Sequence, residues 1–398
     1  MNLLRKAYCR VFQGAFRLAL PILPYRDPKI LTSVADIPAQ LSGKGRLCPL
    51  IVTDSQINAL GLTKPLEEAL TARGLDFAVF DGARPNPTTA MVEKALEVYR
   101  SSGCDCLIAF GGGSPMDCAK AVGARVARPR KSLGKMAGII KVRRKLPYLV
   151  AVPTTAGTGS ETTLAAVIVD AKTRHKYVIN DFALIPRVAV LDPQLIHSLP
   201  QHLMAATGMD ALTHAVEAYI GRSTTRHTRK DALEATELVF ANIRSAANHE
   251  STQAEAAMLR AAHLAGRAFT RSYVGYVHAA SHALSGMYDL PHGQTNATLL
   301  PIVLEMYGSA AHKKLAQLAV AAGLSATGDD SAALAGRFIR AVRELNDALG
   351  IPKTIPNIDP GDIPQLAKYA DHEGNPLYPV PILWDARELE AIYRKAGE

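Results

Sequence analysis

CDCLIAFGGGSPMDCAK, residues 104–120, runs an apolar segment straight into three glycines and on into a helix-compatible stretch. Cys104 to Phe110 reads as a buried strand, in which cysteine serves as a small hydrophobe. Glycines at 111–113 let the backbone take positive φ and approach an anion closely. The helix expected to start near Ser114 or Pro115 would offer free N–H groups at its N-terminus. Ser114 suits the capping position and Pro115 the first turn. The pattern is neither G-x-G-x-x-G nor G-K-[ST], so a plain turn and a pyrophosphate cradle both fit these glycines taken alone.

Outward from this stretch, CPLIVTD (48–54), Phe77–Phe80 and LPYLVAVP (146–153) read as further apolar strands. Helical patterns at Pro65–Arg73 and Thr88–Tyr99 separate them, and fully apolar strands between helices indicate a parallel sheet covered on both faces. A second loop rich in Gly and Thr, PTTAGTGSETT (153–163), also follows a strand, placing both loops in the crevice at the carboxyl ends of the strands. After Pro200 apolar residues recur three and four apart over 203–220, 229–248, 253–270, 311–323 and 331–348. A chain of 398 residues divides naturally into two domains. The expectation is an α/β dinucleotide-binding domain over 1–199, with an N-terminal extension at 1–30, followed by an all-α domain over 200–398.

Composition narrows the function. No run of eighteen apolar residues occurs, so no membrane-spanning helix and no membrane partner is expected. In the first 28 residues Arg10 and Arg17 interrupt the apolar stretch that a secretory signal would need, and an amphipathic helix packed on the body is expected instead. Five cysteines with no C-x2-C pair read as reduced core thiols, which favours the cytoplasm. The net charge of +9 is concentrated in the acid-free segment Arg125–Lys145, but no aromatic residues interleave with those bases, so no nucleic-acid partner is expected.

The helical half carries a metal-binding pattern. Asp210 and His214 in GMDALTH are four apart and leave one helix face a turn apart. VHAASHALSGMYDLPHG (277–293) adds His278, His282 and His292 within fifteen residues, with His292 in a Pro-His-Gly turn. A lone histidine is usually a satisfied core or surface residue, whereas this density on apolar helices suits a divalent ion. One carboxylate with imidazoles favours zinc or iron(II) over calcium or magnesium.

At these constellations the sequence resembles the iron-dependent (group III) alcohol dehydrogenases, a family that includes lactaldehyde reductase and butanol dehydrogenases. The resemblance runs through LIVTD, DGARPNPTT, AFGGGSPMDCAK, PTTAGTGSET, ATGMDALTHAVEAY, GYVHAASHALS and LPHGQTNATLLP, in family order. It implies a dehydroquinate synthase-like architecture, NAD and Fe²⁺ (or Zn²⁺) as cofactors, a small alcohol or aldehyde as substrate, and a homodimer or larger homo-oligomer. It implies Asp210, His214, His278 and His292 as metal ligands, with His282 as the non-ligand histidine near the nicotinamide. Asp54 matches the acid that ends a strand and contacts the adenosine ribose. Asn86, Gly112, Gly113, Ser114, Asp117, Thr154, Thr155, Thr158, Thr163 and Lys176 fall on cofactor-binding positions, and Phe269 on an aromatic wall of the substrate pocket. Ala279-Ala280-Ser281-His282-Ala283 and the C-terminal NPLYPVPILWD depart from the better-known pattern, which leaves the substrate open.

The reaction expected is interconversion of an alcohol and its aldehyde or ketone by hydride transfer to NAD, with His282 relaying the proton at a net positive metal site. A carboxylate at Asp54 would accept from the ribose 2′-OH and repel a 2′-phosphate, favouring NAD over NADP. Two other readings stand beside it. A non-redox lyase of the dehydroquinate synthase type would need a basic pocket for an anionic substrate, and residues 269–300 offer only Arg271. An inactive nucleotide- or metal-binding homologue would be expected to lack a ligand or His282, and none is missing.

Overall fold

A computed structural model describes residues 1–172, 175–325, 328 and 330–398. The chain forms two compact units, Pro24–Leu199 and Pro200–Glu398 joined by Met1–Leu23. The first 23 residues are thus grouped with the helical unit, whereas the sequence reading had counted them with 1–199.

The α/β unit contains β1 (Lys29–Leu31), β2 (Pro49–Asp54), β3 (Ala78–Ala83), β4 (Cys106–Gly111), β5 (Gly138–Ile139), β6 (Tyr148–Pro153), β7 (Ala165–Val169), β8 (Lys176–Asn180) and β9 (Val188–Val190). Six of these make a sheet of order β1-β9-β6-β4-β2-β3, parallel throughout. Its central strands are apolar on both faces because successive side chains point to opposite sides and both sides are covered. Leu50, Val52, Leu107, Ala109, Leu149 and Ala151 meet Val92, Leu96, Ala119 and Val122 on one side. Ile51, Ile108, Phe110, Val150 and Val152 meet Ile37, Leu41, Leu66 and Leu70 on the other. β1 and β9 have only three residues each, too few to show a period, and the sequence reading omitted them. It also omitted the second sheet, β5-β8-β7.

In the helical unit Gln201–Ile220 is buried along most of its length and packs against Arg226–Ala247, Thr252–Ser272 and His292–Tyr307. Tyr276–Tyr288 packs against His292–Tyr307 and Ile363–Gly374. Leu3–Ala19 is a single helix tied to this unit, its Arg5 paired with Asp371 at 2.7 Å and its Arg10 donating to the carbonyls of Val380 and Pro381. All five cysteines are free thiols.

Candidate functional site

In the α/β unit the two expected loops start side by side. Gly111, at the end of β4, pairs with Pro153 at the end of β6, and the Thr154 N–H donates to the Gly111 carbonyl at 3.3 Å. Gly111 has φ +146°, and a Cβ there would lie 2.6 Å from Pro115 Cγ, so the fold itself requires this glycine. Gly112 and Gly113 differ. Their φ values are ordinary, and a Cβ would sit 3.5 Å from Thr155 or Thr158, a normal contact. The chain's own packing does not exclude a side chain at either position, whereas close approach of an external group would.

The helix Gly113–Ala127 begins one residue before the range expected, with Gly112 at its cap and no side-chain cap bond. Ser114 therefore lies inside the first turn and does not cap it, which corrects that expectation. Beyond the turn, Lys120 is fully buried. Its ammonium donates to Ser160 O (2.7 Å), Ser160 Oγ (3.1 Å), Thr163 Oγ1 (2.7 Å) and Ala165 O (3.0 Å). Burial lowers its pKa to about 8. Lys120 lies in a motif quoted from the sequence, yet no role was assigned to it; here it ties the helix to the second loop. Asp117 accepts from the Val167 N–H at 3.1 Å, and desolvation raises its carboxyl to about 6. Asp117 and Thr163 thus hold the loop's frame.

Thr158 Oγ1 accepts from the Ser160 N–H, Thr154 is buried, and Thr155 Oγ1 is buried without a partner among the described residues. Lys176 donates to Asn86 Oδ1 at 3.0 Å, with Asn86 in the left-handed region at φ 56°. Asp54 caps the short helix Ser55–Ala59, its Oδ1 accepting from Gln56 and Ile57 N–H.

In the helical unit the histidine cluster closes around Asp210. His278 Nε2 and His292 Nε2 stand 3.8 and 3.6 Å from Asp210 Oδ1, and His214 Nδ1 is 3.8 Å from Oδ2. Donors about 2.0–2.2 Å from a tetrahedral ion stand roughly 3.3–3.6 Å apart; ligand atoms of Asp210, His214 and His278 lie within 4.8 Å of one another, a group that one ion could draw together, while His292 approaches Asp210 but falls outside that group. Asp210, His214 and His278 are buried, while the His292 side chain is 35% exposed. His292 is the first residue of the helix His292–Tyr307 and not part of a free turn. Gly293 permits this, since a Cβ there would lie 2.6 Å from the Ala206 carbonyl oxygen of the neighbouring helix. Asn296, one turn on, donates to Asp210 Oδ1 at 2.7 Å and lies 3.1 Å from His292 Nε2.

Glu217 completes the cluster and was missed, although 210, 214 and 217 share one helix face. It is buried, and three N–H groups converge on it: Gly275 N at 2.8 Å, Val277 N at 2.7 Å and His278 Nδ1 at 2.6 Å. The first two lie at the N-terminus of the helix Tyr276–Tyr288, which favours negative charge. Burial pushes the Glu217 carboxyl up, to about 8, outweighing the lowering by these donors. With Nδ1 directed at Glu217, His278 Nε2 is left buried without a hydrogen-bond partner among the described residues. Burial and the neighbouring His214, His292 and His282 hold His278 well below its ordinary pKa, hence neutral.

His282 stands apart from the Asp210 contacts. Its ring is 5.0 Å from that of His292, and Nδ1 meets Glu373 Oε1 at 2.6 Å. Tyr378 Oη donates to the same oxygen at 2.7 Å. Burial would raise the Glu373 pKa, but His282 and Tyr378 outweigh it and hold the carboxyl below its ordinary value. Glu373 lies 91 residues from His282, and no local pattern announces it. Tyr378 belongs to the divergent NPLYPVPILWD segment, which thereby buttresses His282. Phe269 stacks on the His214 ring, centroids 4.2 Å apart and planes 14° from parallel, so it braces that histidine.

Comparison with known proteins gives the family of the chain. Residues 31–193 match the family model for iron-containing alcohol dehydrogenase, and residues 204–397 that for the C-terminal part of the Fe-containing alcohol dehydrogenase family. The chain is 38% identical over 386 residues to 1,3-propanediol dehydrogenase of Klebsiella pneumoniae, covering 96% of this chain and 98% of that one. It is 36% identical to the NAD-dependent methanol dehydrogenase of Bacillus methanolicus, over 85% of this chain and 89% of that one. Among solved structures, 1,3-propanediol oxidoreductase superposes with a TM-score of 0.89 at 36% identity, covering 94% of this chain and 98% of that one.

Proposed function

The chain belongs to the iron-containing alcohol dehydrogenase family, and we propose that Asp210, His214, His278 and His292 hold its metal while His282 handles the substrate proton. It is an NAD-dependent oxidoreductase that interconverts an alcohol and its aldehyde or ketone, one hydride passing between the carbinol carbon and the nicotinamide. The buried, unpartnered Nε2 of His278, directed at Asp210 while Glu217 holds Nδ1, carries the metal assignment. Ligating histidines characteristically donate their other N–H to a carboxylate in this way. The donor set suits iron(II), with zinc as the alternative.

When bound, a divalent ion supplies Lewis acidity, which lowers the pKa of bound water from about 16 to near 7 and acts similarly on an alcohol hydroxyl. His282 accepts the hydroxyl proton at Nε2, which has no partner among the described residues. Glu373 then stabilises the imidazolium across its 2.6 Å bond to Nδ1, and Tyr378 fixes Glu373. For the nucleotide, Gly112, Gly113 and Ser114 leave room for the pyrophosphate at a helix N-terminus. Thr154, Thr155 and Thr158 border it, with Asp117, Thr163 and Lys120 shaping the loop. Asp54, Asn86 and Lys176 are read as contacts to the rest of NAD, and Phe269 as a wall of the substrate pocket. The free thiols support a cytoplasmic location, and a homo-oligomer is the expected assembly.

Chelation followed by reconstitution with iron or zinc tests the assignment, with metal content per subunit, NAD affinity and NADH absorbance read across alcohols and diols of increasing length. Activity should vanish with the metal and return with it, while NAD affinity changes only a few-fold. Full activity in rigorously metal-free protein would overturn the mechanism.

A further inference from the structure

The helix Leu3–Ala19 plays no part in the chemistry above, and residues 1–30 lie outside the family match. Its inward side is satisfied. Cys9 and Gln13 are buried, Gln13 donates to the carbonyls of Pro376 and Tyr378, and Phe16 packs edge-on against Tyr273. Its outward side is apolar and uncovered. Leu4 is 84% exposed, Tyr8 60%, Val11 72% and Leu18 82%, with Ile22 at 84% just beyond the helix. On a helix of 3.6 residues per turn, Leu4, Tyr8, Val11 and Leu18 fall within an arc of about 80°. Scattered exposed leucines are ordinary, but a continuous stripe along a whole helix marks a contact surface.

Charge identifies what would cover it. No acid occurs between residues 1 and 26, where the helix carries Arg5, Lys6, Arg10 and Arg17. Arg17 donates to the Arg222 carbonyl, which brings the segment RSTTRHTRK (222–230), also acid-free, beside the helix. Arg17, Arg222, Arg226, Arg229 and Lys230 are exposed, and none has a carboxylate partner among the described residues. The positive field is felt nearby: Lys314 is lowered to about 8 by burial and then by Arg229, Arg17 and Arg222. A second copy would set one acid-free helix against another, so like charges oppose self-association through this stripe.

We propose that this helix lies in the surface of an anionic lipid bilayer, its stripe of Leu4, Tyr8, Val11 and Leu18 inserted and the surrounding bases on the headgroups. Among the described residues, acids meet the helix only at its start, where Arg5 pairs with Asp371 and the N-terminus with Asp385 and Glu388. Toward its end the apolar face is bordered by Arg17 and the bases of 222–230, the arrangement that interfacial helices use, and attraction to anionic leaflets adds with each base near the surface. The helix would lie on the bilayer, since no helix among the described residues is long and apolar enough to cross one. The enzyme would then work where alcohols and aldehydes partition into lipid.

Flotation of the full-length protein with vesicles tests this, comparing phosphatidylcholine alone with phosphatidylcholine plus phosphatidylglycerol, at low and physiological salt. Binding should be at least tenfold tighter to the anionic vesicles and should weaken with salt. Leu4→Ser with Leu18→Ser changes only exposed positions, so it should leave dehydrogenase activity intact and weaken vesicle binding by about tenfold or more. Sedimentation of both proteins runs in parallel. Equal binding to neutral vesicles, no binding at all, or undiminished binding by the double variant would overturn the proposal. So would a wild-type oligomer that the double substitution dissociates while neither protein floats.

Discussion

Glu217→Gln changes one atom at a fully engaged buried carboxylate, and the structure dictates two ways it can fail. In the native site Oε1 takes the Val277 N–H, while Oε2 takes the Gly275 N–H and His278 Nδ1. A glutamine has a single oxygen for these three donors. If that oxygen occupies the Oε2 position, the Val277 N–H faces an NH₂ group and is left buried and unsatisfied, costing about 1–3 kcal/mol. If it occupies the Oε1 position, the NH₂ donates to His278 Nδ1. The ring proton then moves to Nε2, the atom 3.8 Å from Asp210 that would face the metal. Loss of such an orienting carboxylate weakens metal binding by ~10–100-fold, or roughly 1.4–2.7 kcal/mol. The assay is metal affinity by competition with a chromophoric chelator, with Tm measured on metal-free and metal-saturated protein. The expected result is a smaller Tm gain on metal addition and a weaker affinity. A folded Glu217→Gln protein that binds metal as tightly as the wild type would refute the account of how His278 is held.

His282→Ala should keep the metal and lose ~10²–10⁴ in rate, as removal of a proton relay does, whereas His278→Ala should lose the metal; metal content measured beside kcat separates them, and the reverse pattern would exchange the two roles. Gly113→Ala should leave Tm unchanged, because its Cβ would meet Thr158 at an ordinary 3.5 Å, while raising KM for NAD at least tenfold; unaltered KM would show that no phosphate approaches there. Asp54→Asn should raise the NADP/NAD ratio of kcat/KM by removing the charge, and asparagine keeps the cap that Asp54 provides to Ser55–Ala59, so a ratio that does not rise would place the ribose elsewhere.

The parts of this molecule legible in its sequence are those whose physics is local. Apolar strands feeding glycine loops announce a covered parallel sheet, because burial on both faces leaves no polar alternation. Asp210 and His214 announce a shared helix face by their spacing alone. β1 and β9 escaped because three residues cannot display a period, and Ser114 was misplaced as a cap because a glycine ahead of it already begins the helix. Glu217 was available in principle, one turn beyond His214, but its character comes from Gly275 and Val277, about sixty residues away.

Glu373 shows the deeper reason. Nothing within its own helix distinguishes it from a solvated surface acid, and it acquires meaning only when Ile363–Gly374 packs against Tyr276–Tyr288. That packing brings it to His282, and Tyr378, from the segment where the family pattern lapses, then closes on it. Groups that face a metal or substrate are constrained by chemistry to a few residue types at set spacings. Groups that aim them need only supply a carboxylate at the right place, from whichever element the fold brings near. The sequence around a ligand therefore states the chemistry, while the partner that orients it can come from any part of the chain, and only the packed structure names it.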